Sequence, residues 1–194
     1  MKFFSLTNTS VCVVLCAAGI LPAMAQPDPS PAPALMQEMA GVYKHRFMSA
    51  TIAPGKAPME ADEPYQAEDV VEIVPFDKDH IYVRARLNFY NGHSCGIAAL
   101  ARYEDGGFVY RDRAEAAPGL PQCVMRLGVD KGALTITDRI APDGIRTCDK
   151  YCGARGTMNY SIGMGKRRPI RYMERLKASR QYRAAIAEMR AAQP

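Results

Sequence analysis

The clearest pattern in this sequence is a strict alternation of apolar and polar positions from Ile81 to Tyr90. Ten residues of period two predict a β-strand with one buried face and one wetted face. Similar but shorter runs occur on both sides, separated by turn-forming residues such as Asp105-Gly106-Gly107. The other predicted strands cover residues 41–50, 69–76, 96–104, 108–113, 123–129, 133–138 and 157–162.

Short strands joined by tight turns predict a mainly β fold. We expect a small antiparallel barrel of seven or eight strands over residues 41–165. Closing the sheet into a barrel removes the exposed edges to which other chains would pair. A β-sandwich is the alternative architecture for the same set of strands.

The pattern changes after residue 165, where apolar residues recur at helical spacing among Ala, Arg, Glu and Met. Ser179 is a suitable N-cap, which predicts a helix from about Arg180 to Ala191. We expect residues 166–194 to form a basic helical tail that packs on the barrel. This tail holds nine Lys and Arg against two Asp and Glu, whereas residues 26–80 hold four against ten.

The first residues have the pattern of a secretory signal peptide. An apolar run from Val11 to Ile20 precedes Ala23-Met24-Ala25, a cleavage site of the small-x-small type. The run has about ten residues, whereas a membrane-spanning helix needs about twenty. We therefore expect residues 1–25 to be removed and the protein to be periplasmic or secreted, without a membrane span. The proline-rich residues 26–40 predict an extended tether with no packing of its own.

Four of the six cysteines follow the predicted signal peptide: Cys95, Cys123, Cys148 and Cys152. An even number in an oxidising compartment predicts two disulfides. In a meander, Cys95 and Cys123 lie at one end with a strand between them, which is too far for a direct bond. The segment with Cys148 and Cys152 returns to this end. The favoured pairs are Cys123–Cys148 and Cys95–Cys152, and the swapped pairing stays open.

The side chains that could act as nucleophiles or metal ligands do not form a recognisable active site. His93-Ser94-Cys95 lacks the surroundings of a known nucleophile, and no base or orienting acid can be assigned to it. His93 and Cys95 with Cys148-x3-Cys152 supply zinc-type ligands, but the Cys-x2-Cys spacing of structural zinc sites is missing. We therefore predict no catalytic residue, no metal and no cofactor. A non-enzymatic binding protein is expected, and an enzyme of unrecognised type is an alternative.

Two motifs suggest a family. Phe89-Tyr90-Asn91-Gly92-His93-x-Cys95 is followed by Cys148-x3-Cys152-Gly-Ala-Arg-Gly. Together they resemble a group of exported proteobacterial proteins of mostly unknown function, some of which are similar to the lysozyme-inhibitor-like proteins of the periplasm. The resemblance covers roughly residues 41–185 and implies inhibition of a cell-wall hydrolase. The glycines beside Cys152 are read as structural, permitting positive φ next to a cross-link.

A second resemblance supports another function. Gly41-x-Tyr43 looks like the Gly-x-Trp opening of lipocalins, although Tyr replaces Trp and the chain has no Trp. This resemblance implies a small-barrel carrier of an apolar ligand or lipid, which we keep as an alternative.

The expected partner is a protein of the cell envelope, because export makes nucleic acid an unsuitable partner. An acidic segment would steer this protein toward the basic surface of a lysozyme. The basic tail would contact anionic surfaces. The candidate partner-binding residues are Glu60, Asp62, Glu63, His93, Arg155, Arg167 and Arg168.

Overall fold

The computed structural model describes residues 30–52, 55, 62–112, 122–139 and 146–191, with Asp62 described by its backbone alone. The predicted signal peptide (residues 1–25) and Glu60 lie outside these residues, so the predictions made for them stay predictions. The described part of the chain is mainly β, as the alternating patterns indicated.

Nine antiparallel strands form one sheet that curls into a nearly closed barrel, which excludes the sandwich alternative. Each strand from β1 to β7 pairs with the next in the chain, and β9 pairs with β1. The strands are β1 (Gly41–Ile52), β2 (Asp62–Pro75), β3 (His80–Asn88), β4 (Ser94–Glu104), β5 (Gly107–Arg111), β6 (Val124–Asp130), β7 (Ala133–Asp138), β8 (Tyr160–Gly163) and β9 (Arg167–Arg168). The helices are α1 (Ala32–Met39), α2 (Met173–Lys177) and α3 (Arg180–Ala191), with 3-10 turns at Tyr90–Gly92, Asp149–Tyr151 and Met164–Lys166.

The segment from β8 to β9 closes the barrel because it pairs with two different strands. Gly163 on β8 lies opposite Ala133 on β7. After a 3-10 turn, Arg167 on β9 lies opposite Tyr43 on β1. The predicted count of seven or eight strands was therefore wrong. The ninth strand has two residues, too few to produce an alternation in the sequence.

Side chains fill the interior of the barrel. Ile81, Val83, Ala85 and Leu87 alternate along β3 and each exposes 2 % or less of its surface. Their inward direction is the one that the alternation from Ile81 to Tyr90 predicted. The inward side chains of the other strands join them in one apolar cluster.

Helix α1 covers one end of the barrel. Its buried residues Ala32, Met36 and Met39 belong to the same apolar cluster as the inward side chains of the strands. The helix contacts β2 and β6, which lie on opposite sides of the barrel. The sequence predicted an extended tether over residues 26–40, and this is wrong from Ala32 to Met39. Proline is compatible with a first helical turn, and the spacing i, i+4, i+7 gives the helix an apolar face.

The C-terminal tail packs on the outer face of the sheet. Leu176, Tyr182 and Ala185 form a second apolar cluster with Val74 of β2 and Tyr82 of β3. The rings of Tyr82 and Tyr182 meet edge to face with centroids 4.7 Å apart. This packing places α2 and α3 across the strands beside the site described below. Among the described residues, no helix combines the length and the apolar character needed to cross a membrane.

Replacing Ser179 by alanine should lower the free energy of unfolding by about 1 kcal/mol. Its hydroxyl oxygen accepts a hydrogen bond from the backbone N–H of Tyr182 at 3.2 Å, and alanine would leave this helix-terminal donor without its cap. Urea denaturation followed by circular dichroism measures the loss. Ser161→Ala, at an exposed position of β8, is the matched control and should change stability by less than about 0.5 kcal/mol. Equal losses in the two variants would contradict the capping role.

Candidate functional site

The described acidic candidate residues, Asp62 and Glu63, lie on the hairpin of β1 and β2, in a part that extends beyond the pairing of β2 with β3. Backbone pairing between β2 and β3 begins at Val70, so the earlier residues of β2 project together with their partners on β1. Glu63 is exposed on this projecting part. Asp62 pairs with Ile52 through the backbone. Of the three acidic candidates, Glu63 therefore offers a described and accessible carboxylate.

The basic candidate residues are exposed, but two of them also hold neighbouring backbone. Arg167 donates hydrogen bonds to the carbonyl oxygens of Gln37 and Glu38 at 3.0 and 2.6 Å, which ties β9 to the end of α1. Arg168 likewise donates to two nearby carbonyl oxygens. Arg155 is exposed on the loop after the last cysteine. Arg167 and Arg168 thus lie at the α1 end of the barrel, whereas Glu63 lies at the opposite end.

Two disulfides fasten the loop before β8 to the strands. Cys95 is bonded to Cys152, and Cys123 is bonded to Cys148. The prediction of two disulfides is confirmed, and the favoured pairing is the one found. Both bonds lie at the barrel end away from α1, because Cys95 begins β4 next to the end of β3.

The glycines beside Cys152 act through close contact. A Cβ atom on Gly156 would lie 2.6 Å from the sulfur of Cys95, and one on Gly153 would lie 3.0 Å from Nδ1 of His93. Neither glycine has a positive φ, so the expected role in backbone conformation was wrong. The candidate residue His93 therefore lies in close contact with Gly153 of the cross-linked loop.

The outer face of the sheet carries a cleft that the sequence analysis did not identify. The cleft has a volume of about 680 Å³ and is bounded by strands β1 to β4 and by the tail. Most of its polar side chains are cationic. We call it the basic cleft and define it by Lys44, Glu72, Arg84, Arg86, Tyr172 and Arg175.

Strand register brings the floor of the basic cleft together. Val70 lies opposite Lys44 on one side and opposite Arg86 on the other. Arg86 in turn lies opposite Gly96 of β4. Strands are spaced by about 4.8 Å, so this row of four residues spans about 14 Å. Since Gly96 has no side chain, the space above β4 at this end of the row is left unfilled.

Glu72 links the floor of the cleft to the tail. It exposes 2 % of its surface, and Arg84 donates to both of its carboxylate oxygens, with Nη2 at 2.8 Å from Oε1. The hydroxyl of Tyr172 donates to the same carboxylate at 2.5 Å. Burial, together with this hydrogen bond to Glu72, raises the pKa of Tyr172 to about 12, so the hydroxyl keeps its proton and remains a donor. The negative charge of Glu72 is therefore compensated within the cleft.

Two arginines of the basic cleft have no carboxylate partner among the described residues. Arg86 is exposed, and its side chain takes part in no ion pair or hydrogen bond there. Arg175 is also exposed, and its guanidinium lies 5.3 Å from the centre of the Tyr172 ring. Lys44 differs, because its amine lies 3.0 Å from the carboxylate of Glu68. The cleft therefore has an excess of positive charge.

Within the described residues, one group of metal-type ligands occurs, at the turn between β2 and β3. The ligand atoms of Asp77, Asp79 and His80 lie within 4.8 Å of one another. The His80 ring lies 2.9 Å from Asp77 and 3.0 Å from Asp79. The backbone N–H groups of Asp79 and His80 both donate to the carboxylate of Asp77. Partial burial acts to raise the pKa of Asp77, but the hydrogen bonds from Asp79 and His80 outweigh it and lower that pKa. These internal contacts account for the cluster without a bound ion.

The two motifs that carried the family resemblance meet in the structure. Residues 89–93 form the turn before β4, residues 148–156 form the returning loop, and the bond from Cys95 to Cys152 joins them. Comparison with protein-family models, curated proteins and solved structures gave no match. The resemblance to lysozyme-inhibitor-like proteins therefore stays a prediction, and the geometry of the site carries the argument about function.

Proposed function

We propose that this chain is an exported, non-enzymatic binding protein of the cell envelope, which contacts a negatively charged partner through the basic cleft. The observation that carries the proposal is the pair Arg86 and Arg175, two exposed guanidinium groups that have no carboxylate partner in the described part of the chain and line one cleft of about 680 Å³. Guanidinium groups bind carboxylates and phosphates through paired hydrogen bonds. Clefts of this volume are typical of sites for small ligands.

The disulfides support the exported location. Cys95, Cys123 and Cys148 are buried, and each of them forms a disulfide bond. Disulfides of this kind persist in oxidising compartments and are rare in the cytosol. A periplasmic or secreted location fits these two disulfides.

The side chains of the basic cleft suit binding better than proton transfer. Arginine stays protonated throughout the physiological range, so Arg84, Arg86 and Arg175 act as fixed charges. Glu72 is held by Arg84 and Tyr172, and Tyr172 keeps its proton below about pH 12. The arginines and Tyr172 therefore do not exchange a proton with a ligand near neutral pH. A catalytic role for this chain would therefore have to lie elsewhere in the molecule.

Inhibition of a cell-wall hydrolase is a second candidate function, and the projecting hairpin favours it. This part of the chain carries the exposed Glu63 and the side chain of Met48, which is 66 % exposed. A projecting hairpin with a carboxylate and an apolar side chain would fit the open cleft of a basic lysozyme. Turnover assays of several lysozyme types with excess mature protein test this function. Unchanged rates in every assay would remove it.

The carrier alternative receives little support from the barrel. Tyr43, Phe108 and Met125 are fully buried inside it, where a carried ligand would have to lie. The basic cleft lies on the outer face, and seven of its twelve lining residues have charged or polar side chains. An apolar ligand would therefore have to displace part of the core.

Replacing Arg86 by glutamate should weaken binding of dextran sulfate roughly tenfold or more, because a charge-assisted hydrogen bond contributes about 1.5–3 kcal/mol. Fluorescence anisotropy with labelled dextran sulfate at low salt measures the affinity, with neutral dextran as the blank. Arg183→Glu is the matched control, because Arg183 is exposed on α3 outside the cleft and the change in charge is identical. Equal losses in the two variants, or equal binding of the two dextrans to the unaltered protein, would remove the proposal.

A further inference from the structure

We infer that the basic cleft binds a phosphate monoester, with the phosphate group held between Arg86 and Arg175. The inference rests on the proposed function and adds the chemical class of the ligand. Three properties of the cleft lead to it: the number of uncompensated charges, the presence of two guanidinium groups in one cleft and the space beside them.

Among the described residues, the charges of the cleft leave a surplus of at least two. Arg84 compensates Glu72, and Lys44 shares the carboxylate of Glu68 with Arg46. Arg86 and Arg175 remain, each with one positive charge. A phosphate monoester carries a charge of about −1.5 to −2 at pH 7, whereas a single carboxylate carries −1. The phosphate therefore matches the surplus in one group.

The two arginines reach the same space from different elements. Arg86 follows Arg84 by two residues on β3, so both point to the outer face, about 6.6 Å apart along the strand. Arg175 stacks on Tyr172, whose hydroxyl bonds the carboxylate paired with Arg84. This chain of contacts ties Arg175 to the pair of Arg84 and Glu72, next to Arg86 on the same strand. The acceptor oxygens of a phosphate are enough to satisfy both guanidinium groups.

The rest of the lining suits the organic part of an ester. Val70 and Ala98 offer apolar surface, and Gly96 leaves space above β4. Gln181 contributes a side-chain amide whose oxygen lies 3.4 Å from Arg84, at the limit of hydrogen bonding. A volume of about 680 Å³ far exceeds what a bare phosphate ion fills. The cleft therefore has room for a sugar or a lipid headgroup attached to the phosphate.

Isothermal titration calorimetry of the mature protein tests the inference with four probes. Glucose 6-phosphate and glycerol 1-phosphate represent sugar and lipid headgroup sources, inorganic phosphate represents the free ion, and succinate is a dianion without phosphate. We expect at least one ester to bind more tightly than inorganic phosphate and succinate. Binding of that ester should strengthen several-fold from pH 5 to pH 8, because its second ionisation lies near pH 6 while the cleft arginines keep their charge.

Variants tie the result to the two arginines. Arg86→Gln and Arg175→Gln should each weaken ester binding roughly tenfold or more, and Arg183→Gln should leave it unchanged. Succinate or inorganic phosphate binding as tightly as the esters would overturn the inference, as would an affinity that does not change with pH. If dextran sulfate binds through Arg86 but neither ester binds, the phosphate inference fails and the proposed function stands. If none of these anions binds, both fail.

Discussion

Removing the disulfide between Cys95 and Cys152, by changing both residues to alanine, should lower the free energy of unfolding by about 4 kcal/mol. The bond spans a sequence separation of 57 residues, and the chain entropy that a cross-link removes from the unfolded state grows with loop length. It also holds the returning loop against β4, where these two residues form an isolated backbone bridge. Urea denaturation of the oxidised protein and of the double variant measures the difference.

The second disulfide provides the comparison. The bond between Cys123 and Cys148 spans 25 residues, so its paired replacement should cost somewhat less, about 3.5 kcal/mol. Its loop is nested within the larger one, so the two effects should not add. Four alkylatable thiols in the mature protein, or double variants as stable as the parent, would contradict the cross-linked structure.

Replacing Phe108 by alanine should lower the free energy of unfolding by about 3–5 kcal/mol. Phe108 has no exposed surface, lies opposite Leu127 and meets the ring of Tyr103 edge to face at 5.5 Å. Alanine would remove these contacts and leave a cavity that the rigid sheet cannot close. Phe108→Leu keeps most of the apolar volume and should lose clearly less. Chemical denaturation of the two variants and the parent gives both values.

The same measurement separates a packed barrel from a carrier. A side chain that lines a ligand cavity has few partners on one side, so its truncation costs little. A loss below about 1 kcal/mol for Phe108→Ala would therefore contradict the packed interior and would favour the carrier alternative. A large loss would leave the outer face of the sheet as the place to look for a ligand.

The parts of the fold with a repeating pattern could be predicted from the sequence. The alternation from Ile81 to Tyr90 gave the position of β3 and its inward face, because one side of the strand is buried and the other is not. The predicted bounds of α3 agree with the structure, because Ser179 marks its start through a local hydrogen bond. Signals of both kinds act over a few residues and are visible in a single sequence.

The missed elements depend on contacts between distant residues. Helix α1 follows a proline-rich stretch and is stabilised by packing its apolar face on the barrel. The start of β2, from Asp62 onward, contains Pro64 and several acidic residues, and its partner there is the backbone of β1. Strand β9 is too short to carry a pattern. Tertiary contacts outweighed local propensity in each case.

The basic cleft could be predicted only in part. Arg84 and Arg86 are visible in the sequence as the polar face of a strand, but that face gives no sign of what covers it. Arg175 reaches them because the tail packs across the sheet, which no local pattern indicates. The sequence analysis favoured the adjacent pair Arg167 and Arg168, and in the structure their guanidinium groups bond nearby backbone carbonyls.

The link between Arg167 and the end of α1 has a consequence for biosynthesis. It joins residues 130 and 129 positions apart in the chain, so α1, the first element of the described residues, has to wait for β9 before the barrel can close. Until then, the nascent polypeptide presents the edge of β1 without its final neighbour. Chaperones and proteases would thus meet an open sheet during synthesis, and the pairing of β9 with β1 would end that exposure.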